Sequence, residues 1–500
     1  MRFLSKQGLL IPEPLVQPLN HERARSIRHA TAIHTPTLNT SFNYSKELQQ
    51  LLAGKQTLLC AITHPVEQIY EHYKNGYVSY TKGIAEQRGL STCARCGNND
   101  KHLFGEFDCA RCQESCTYCR KCIQLGRIST CTALIHWLGP INTSVIKNPL
   151  QWTGTLSKGQ QVASQRVVQA VTNNKDLLVW AVCGAGKTEV LFHGIEAALR
   201  AGKSVCIATP RTDVVLELAP RMRSAFPQVE VIALYGGSED RGKIAPITIT
   251  TTHQLHRYYQ AFDIVIIDEV DAFPYSIDPM LQYAVLQAKK LTSPTIYLTA
   301  TPSKKWQREI ASNRRDAVTI PARYHGFSLP LPTFQSCGDW RKLLQKKRLP
   351  KPVLAWLLNH LTENKQALLF VPHIEALSTV VELLKRHHSK IEGVHANDVT
   401  RKEKVSAFRD GSIPILITTT ILERGITIPN INVAVLGAED RIFTESALVQ
   451  IAGRVGRSAK HPTGEIRLFH FGKTKAMLHA KRHIAYMNAE GERMGLLHRG

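Results

Sequence analysis

The sequence predicts an α/β architecture of two consecutive domains behind a cysteine-rich N-terminal module. Short apolar runs recur from Leu177 onward, at Leu177–Cys183, Ser204–Thr209, Val229–Leu234, Ile247–Thr250, Ile264–Ile267 and Thr295–Leu298, with helix-length segments between several of them. A second series follows at Ala367–Val371, Ile391–Val394, Ile413–Thr418, Val433–Leu436 and Glu465–Phe471. Strands buried on both faces of a parallel sheet read as continuous apolar runs, and their alternation with helices marks an α/β domain. Eight of the 12 cysteines lie between Cys93 and Cys131, in a stretch rich in turn residues and poor in apolar ones. Such a stretch cannot organise itself around a core, so metal has to do it.

In chain order, residues 1–150 read as the N-terminal module, with a zinc finger at about 93–131. Within it, Tyr44–Leu52 has a helical pattern and Thr57–Ile62 is a short apolar run. Residues 151–325 form the first α/β domain and 353–472 the second. Between them, 326–352 reads as a linker: Pro330, Pro332, Pro350 and Pro352 punctuate it, and Arg341, Lys342, Lys346, Lys347, Arg348 and Lys351 form a basic run. That run is either a short basic helix or a solvated face. Residues 473–500 read as a basic amphipathic helix with a frayed end.

The 500 residues suffice for about three domains. With 43% hydrophobic and 21% charged residues, the composition is that of a globular protein, and disorder is excluded as the main state. No run of about 18 apolar residues occurs, which excludes a membrane-spanning helix. The start, Met1 to Leu15, has only a short apolar stretch broken by Pro12 and Pro14, so a cytoplasmic location is expected. Lys and Arg total 63 against 40 Asp and Glu, a net charge of 63 − 40 = +23. This balance favours a polyanionic partner, nucleic acid or an anionic membrane surface, over a mere solubility surplus.

The run Leu177–Val182 leads into Ala181-Val182-Cys183-Gly184-Ala185-Gly186-Lys187-Thr188, which opens a helix-like segment to Arg200. The phosphate-loop pattern is G-x-x-x-x-G-K-[ST], and Ala181 stands at its first glycine. The chemistry survives that replacement. Gly184, Ala185 and Gly186 let backbone N–H groups turn inward onto a phosphate of ATP, and the helix N-terminus adds partial positive charge. Lys187 reaches the β- and γ-phosphates, and the Thr188 hydroxyl is placed to ligate Mg²⁺. Further on, Phe262-Asp263-Ile264-Val265-Ile266-Ile267-Asp268-Glu269 runs apolar residues into two carboxylates at the end of a buried strand, where α/β sheets bind ligands. Asp268 would serve Mg²⁺, and Glu269 would orient or deprotonate the attacking water.

Further motifs follow in order: Thr299-Ala300-Thr301-Pro302, then Thr418 to Thr427, then Gln450-Ile451-Ala452-Gly453-Arg454-Val455-Gly456-Arg457. This set resembles the superfamily 2 helicases and translocases over residues 155–472. The resemblance implies two RecA-like P-loop domains with ATP between them. It places Gln160 as an adenine-sensing residue, Gly425 near the nucleotide, and Arg454 and Arg457 as arginine fingers on the γ-phosphate. Thr299 and Thr301 would couple nucleotide to closure, while Pro210-Arg211, Thr250–His253, Thr418 and Thr419 would line a nucleic-acid track. The cysteine module in front, with Cys116-Thr117-Tyr118-Cys119-Arg120-Lys121-Cys122 followed by Gly126-Arg127, resembles the ComFA family of competence ATPases of Gram-positive bacteria over residues 55–472. That likeness implies ATP-dependent translocation of single-stranded DNA during natural transformation. It also implies work at the inner face of the cell membrane, through a channel protein and a phosphoribosyltransferase-like competence partner, with a homo-oligomer admitted. A duplex-unwinding DNA or RNA helicase and an ATP-gated clamp are the competing readings.

Cys93-x₂-Cys96 and Cys109-x₂-Cys112 are spaced like a zinc ribbon, and four thiolates suit tetrahedral Zn²⁺. Cys116 and Cys119 could replace the second pair. Two sites could instead use all eight cysteines, with Cys131 completing the second.

Overall fold

The computed structural model describes every residue except 18–22, 142–144, 241–242, 425–427 and 499–500. Two compact units are present. One comprises Met1–Trp152, Val171–Lys175 and Ile195–Ile296, and the other Thr153–Ala170, Asp176–Gly194 and Tyr297–Gly500.

The first unit opens with Arg2–Lys6, paired antiparallel with Leu9–Pro12 and Arg25–Ser26. A second small antiparallel sheet sets Ala133–Trp137 between Gln56–Leu58 and Val78–Lys82. The expected helix begins at Lys46 and ends at Leu52, with Ser45 Oγ accepting from Leu48 N as its cap. These elements close over an aromatic-rich core that includes Tyr73, Tyr77, Tyr80 and Trp137. The cysteine segment adds two hairpins, Ile84–Gln87 with Leu90–Cys93 and Phe104–Cys109 with Glu114–Cys119. The same unit holds four parallel strands in the order Val231–Leu234, Ile247–Thr251, Val205–Thr209 and Ile264–Ile267. Their side chains are buried throughout, which is why each reads as an unbroken apolar or Thr-rich run.

In the second unit, Leu177–Ala181 pairs parallel with Ala317–Ile320. A six-stranded parallel sheet follows in the order Thr333–Ser336, Ile466–His470, Asn432–Leu436, Ala367–Phe370, Ile415–Thr418 and Glu392–Val394. Its core is built from Leu369, Ile415, Ala434 and Phe469 with the facing helices.

The segment expected as a linker is built into this sheet. Thr333–Ser336 is its edge strand, and the helix Trp340–Gln345 sinks Trp340, 1% exposed, into the core. Arg341 and Lys342 of the basic run lie on this short helix, and the run presents a solvated, partly paired face. Arg341 binds Glu439 and Asp440 at 2.9 and 2.8 Å, and Lys347 reaches Glu382 at 2.6 Å. The expected tail is the helix Lys475–Arg493, whose Met477, Ala480, Ile484 and Met487 are buried, so it is part of the unit's packing. Among the described residues, no helix is long and apolar enough to cross a membrane.

Candidate active site and metal centres

The phosphate loop lies in the second unit. The strand Leu177–Ala181 is buried along its length, and the helix Lys187–Arg200 starts one residue before the expected Thr188. Gly184 and Gly186 hold φ values of 82° and 73°, the left-handed region that a side chain rarely tolerates. A Cβ on Gly186 would also stand 2.2 Å from Gln160 Nε2. Gln160 Nε2 donates to Ala185 O at 2.9 Å, and its Oε1 accepts from Ser157 N at 2.8 Å. Its amide therefore braces the loop. Ala185 is buried, Thr188 is 8% exposed and Lys187 is half-buried.

The loop containing Arg454 and Arg457 packs against the phosphate loop. Cys183 Sγ donates to Gln450 Oε1 at 3.1 Å, and a Cβ on Gly453 would come within 2.4 Å of Cys183 Cβ. Arg454 Nε donates to Glu423 O at 3.0 Å, and Arg457 Nε donates to Gly453 O at 3.0 Å. Thr301 Oγ1 meets Ser446 Oγ at 2.7 Å. Gly425 lies outside the described residues.

Arg323 is the residue that sequence reasoning missed. It is 2% exposed, and its guanidinium donates to Cys183 O at 3.2 Å, to Gly453 O at 3.4 Å and to Gly456 O. Burial draws its pKa down to about 10. One cation thus fastens a phosphate-loop carbonyl to two carbonyls of the Arg454–Arg457 loop. No local motif announces it; only the short strand Ala317–Ile320 just before it could have drawn attention. Arg323→Ala would leave buried carbonyls without a donor and should lower stability by about 3 kcal/mol in denaturant unfolding. An unchanged midpoint would remove this clamp.

The carboxylate pair lies in the first unit, after Ile264–Ile267. Asp268 N donates to Ala208 O at 2.8 Å, and Glu269 N donates to Asp268 Oδ1 at 2.9 Å. Glu269 takes a φ of 55°, in the left-handed region, where the strand has given way to a turn. The residues expected on a nucleic-acid track differ in exposure. Thr250, Thr252 and Thr418 are fully buried, and Arg211 is folded onto Asp213 at 2.8 Å, whereas His253 is exposed and Thr419 half-buried.

The eight clustered cysteines fall into two interleaved groups, Cys93, Cys96, Cys119 and Cys122, and Cys109, Cys112, Cys116 and Cys131. This is the two-site reading, with all eight cysteines used and Cys131 completing the second group; neither single-site alternative is formed, because Cys109 and Cys112 join Cys116 and Cys131, and Cys119 crosses to the first group with Cys122. The Cys119-x₂-Cys122 spacing was the available signal. Cys93–Cys122 and Cys96–Cys119 sulfurs lie 3.7 Å apart, as do Cys109–Cys131, while Cys112–Cys116 are at 3.4 Å. A disulfide needs about 2.05 Å. Four sulfurs at about 2.3 Å from one Zn²⁺ stand about 3.8 Å apart, so the donor sets fit tetrahedral zinc. Within the same unit, Tyr283 from the helix Pro279–Ala288 donates to Ala94 O at 3.1 Å, and Lys121 lies 3.6 Å from Asp278. The first cluster therefore abuts the segment that follows the carboxylate pair.

Comparison with known proteins accords with this layout. Residues 39–136 match the family model described as "Competence protein ComFA N-terminal domain", 153–304 match "Type III restriction enzyme, res subunit" and 351–459 match "Helicase conserved C-terminal domain". Competence protein ComFA of Bacillus subtilis is 48% identical over 450 residues, covering 90% of this chain and 96% of that one. The chain belongs to the ComFA family. The ComFA of Streptococcus pneumoniae is 37% identical over 398 residues, 77% of this chain and 91% of that one. A Saccharomyces cerevisiae Dbp5 variant bound to RNA and ADP BeF3 shares the fold, with a TM-score of 0.51, 15% identity, and coverage of 69% of this chain and 94% of that one. This ComFA-family chain is a helicase-like ATPase with tandem RecA-like sheets, and its activity implies ATP and Mg²⁺.

Proposed function

We propose that this protein is an ATP-dependent single-stranded DNA translocase that drives DNA uptake in competence. The phosphate loop packed against the Arg454–Arg457 loop supports the ATP-driven part of this reading, and the likeness to competence protein ComFA supports the DNA-uptake part. In this scheme Lys187 and the loop amides hold the phosphates, Thr188 and Asp268 serve Mg²⁺, and Glu269 activates water. Arg454 and Arg457 offset charge that develops on the γ-phosphate. Gln160 supports the loop from behind, and Gly425 has the role that its motif implies. The two cysteine groups each hold one structural Zn²⁺, closed by four ligands, which builds the module and leaves catalysis to the motor. The competence channel protein and a phosphoribosyltransferase-like protein are the partners this role calls for, and any membrane association runs through them.

Glu269→Gln should still bind ATP, since shape and Asp268 remain, while turnover falls by roughly 10²–10⁴-fold. Loss of nucleotide binding in that variant, measured by equilibrium titration, would reverse the roles of the two carboxylates. A strand held by its backbone is also sequence-tolerant and salt-sensitive. Each neutralised phosphate adds roughly −0.7 to the slope of log affinity against log salt. Mixed-sequence oligonucleotides of equal length should therefore stimulate ATP hydrolysis equally, and less as salt rises. A strong preference for one sequence would contradict the translocase reading.

A further inference from the structure

An open groove of about 560 Å³ in the second unit is unused by the ATPase chemistry. Its floor is aromatic. Trp180 stacks on Tyr486 at 6.2 Å with an interplanar angle of 27°, and His483 meets Trp180 edge-on at 5.7 Å. The indole cannot swing, because Trp180 Nε1 donates to Ala300 O at 3.1 Å. Tyr486 remains 55% exposed, so the stack presents an open edge to solvent.

The groove walls are cationic. Lys304 begins the helix Lys304–Ala311, where the helix dipole already contributes positive charge, and Arg482 projects from Lys475–Arg493. Both are exposed, and neither has an ion-pair partner among the described residues. The acid of the groove, Glu445, is engaged by two imidazoles, His483 Nδ1 at 3.5 Å and His479 Nδ1 at 3.6 Å. That contact with His483 lowers the Glu445 pKa. The carboxylate stays ionised beside Lys304, so the groove sets two exposed cations, Lys304 and Arg482, against one anion.

From this geometry we infer that the groove is a second contact site for single-stranded nucleic acid, in which a base stacks against Tyr486 and flanking phosphates lie against Lys304 and Arg482. Stacking platforms flanked by positive charge are the means by which proteins hold single strands without reading sequence. The groove lies close in the chain to the motor's own parts. Trp180 immediately precedes the phosphate-loop segment, Ala300 sits between Thr299 and Thr301, and Ser446, next to Glu445, meets Thr301. A strand in the groove thus presses on residues that adjoin the nucleotide loop.

The inference rests on the nucleic-acid reading above, and one experiment separates the two. Anisotropy of a labelled mixed-sequence single strand is measured against salt for the full chain, for Tyr486→Ala and for the double variant Lys304→Ala/Arg482→Ala. Tyr486→Ala should weaken binding by roughly tenfold, through loss of one stacked base. The double variant should make the log–log salt slope shallower by roughly 1.4, two phosphates' worth. Unfolding midpoints should stay unchanged, as expected of exposed positions. If the unaltered protein binds the strand and both variants match it in affinity and slope, the groove is not a nucleic-acid site. If the unaltered protein binds no single strand, the broader reading fails together with this one.

Discussion

The Lys187→Ala protein is expected to lose ATP hydrolysis, by roughly three orders of magnitude, while its unfolding midpoint stays in place. Lys187 opens the helix Lys187–Arg200 and is only half-buried, so little packing depends on its side chain. What the substitution removes is a positive charge aimed at the β- and γ-phosphates. The loop itself persists, because its form is set by Gly184, Gly186 and the Gln160 brace. Steady-state phosphate release under saturating ATP and Mg²⁺ checks this. A rate near that of the unaltered protein would end the phosphate-loop assignment.

The second large effect concerns metal. Freshly purified protein should contain two zinc ions per chain, and Cys119→Ser should retain one. Cys119 completes the group with Cys93, Cys96 and Cys122, while Cys109, Cys112, Cys116 and Cys131 are untouched. A structural zinc contributes on the order of 10 kcal/mol to the folding of a small module. Its loss should expose the hairpin Ile84–Cys93 and the residues near Cys122 to protease. It should also loosen the Tyr283–Ala94 contact with the helix behind the carboxylate pair. DNA-free ATP hydrolysis should largely survive, and DNA-stimulated hydrolysis should decline. Metal analysis finding no zinc in the unaltered protein would remove the idea.

The parallel strands were legible because burial on both faces leaves no room for polar residues, as in Ile264–Ile267. The strand Thr333–Ser336 was not legible. It lies at a sheet edge, bonds to one neighbour, and needs no apolar run, so its polar residues, with Pro330 and Pro332 just before it, read as linker. The helix Lys351–Thr362 begins with Pro at its first turn, where proline is welcome, and that too mimicked a break. Contiguous motifs such as Gly184 to Thr188 could be read because one loop supplies all their atoms. Two sites drawing on all eight cysteines, with Cys131 in the second, were among the readings of spacing, but which cysteines share a site was not settled, because interleaving depends on how two hairpins cross. Arg323 was invisible for the same reason: its partners, Cys183, Gly453 and Gly456, are distant in sequence and offer only backbone carbonyls, which every residue has.

The central claim is that ATP hydrolysis moves the protein along a single strand. It is tested most directly by the ATPase rate at saturating concentrations of single-stranded oligonucleotides of increasing length, DNA and RNA side by side. A translocase spends more cycles per encounter on a longer strand, so the rate should climb with DNA length towards a plateau. A rate that is already maximal on the shortest strand that binds, and the same on every longer one, would show an ATP-gated clamp and contradict the account.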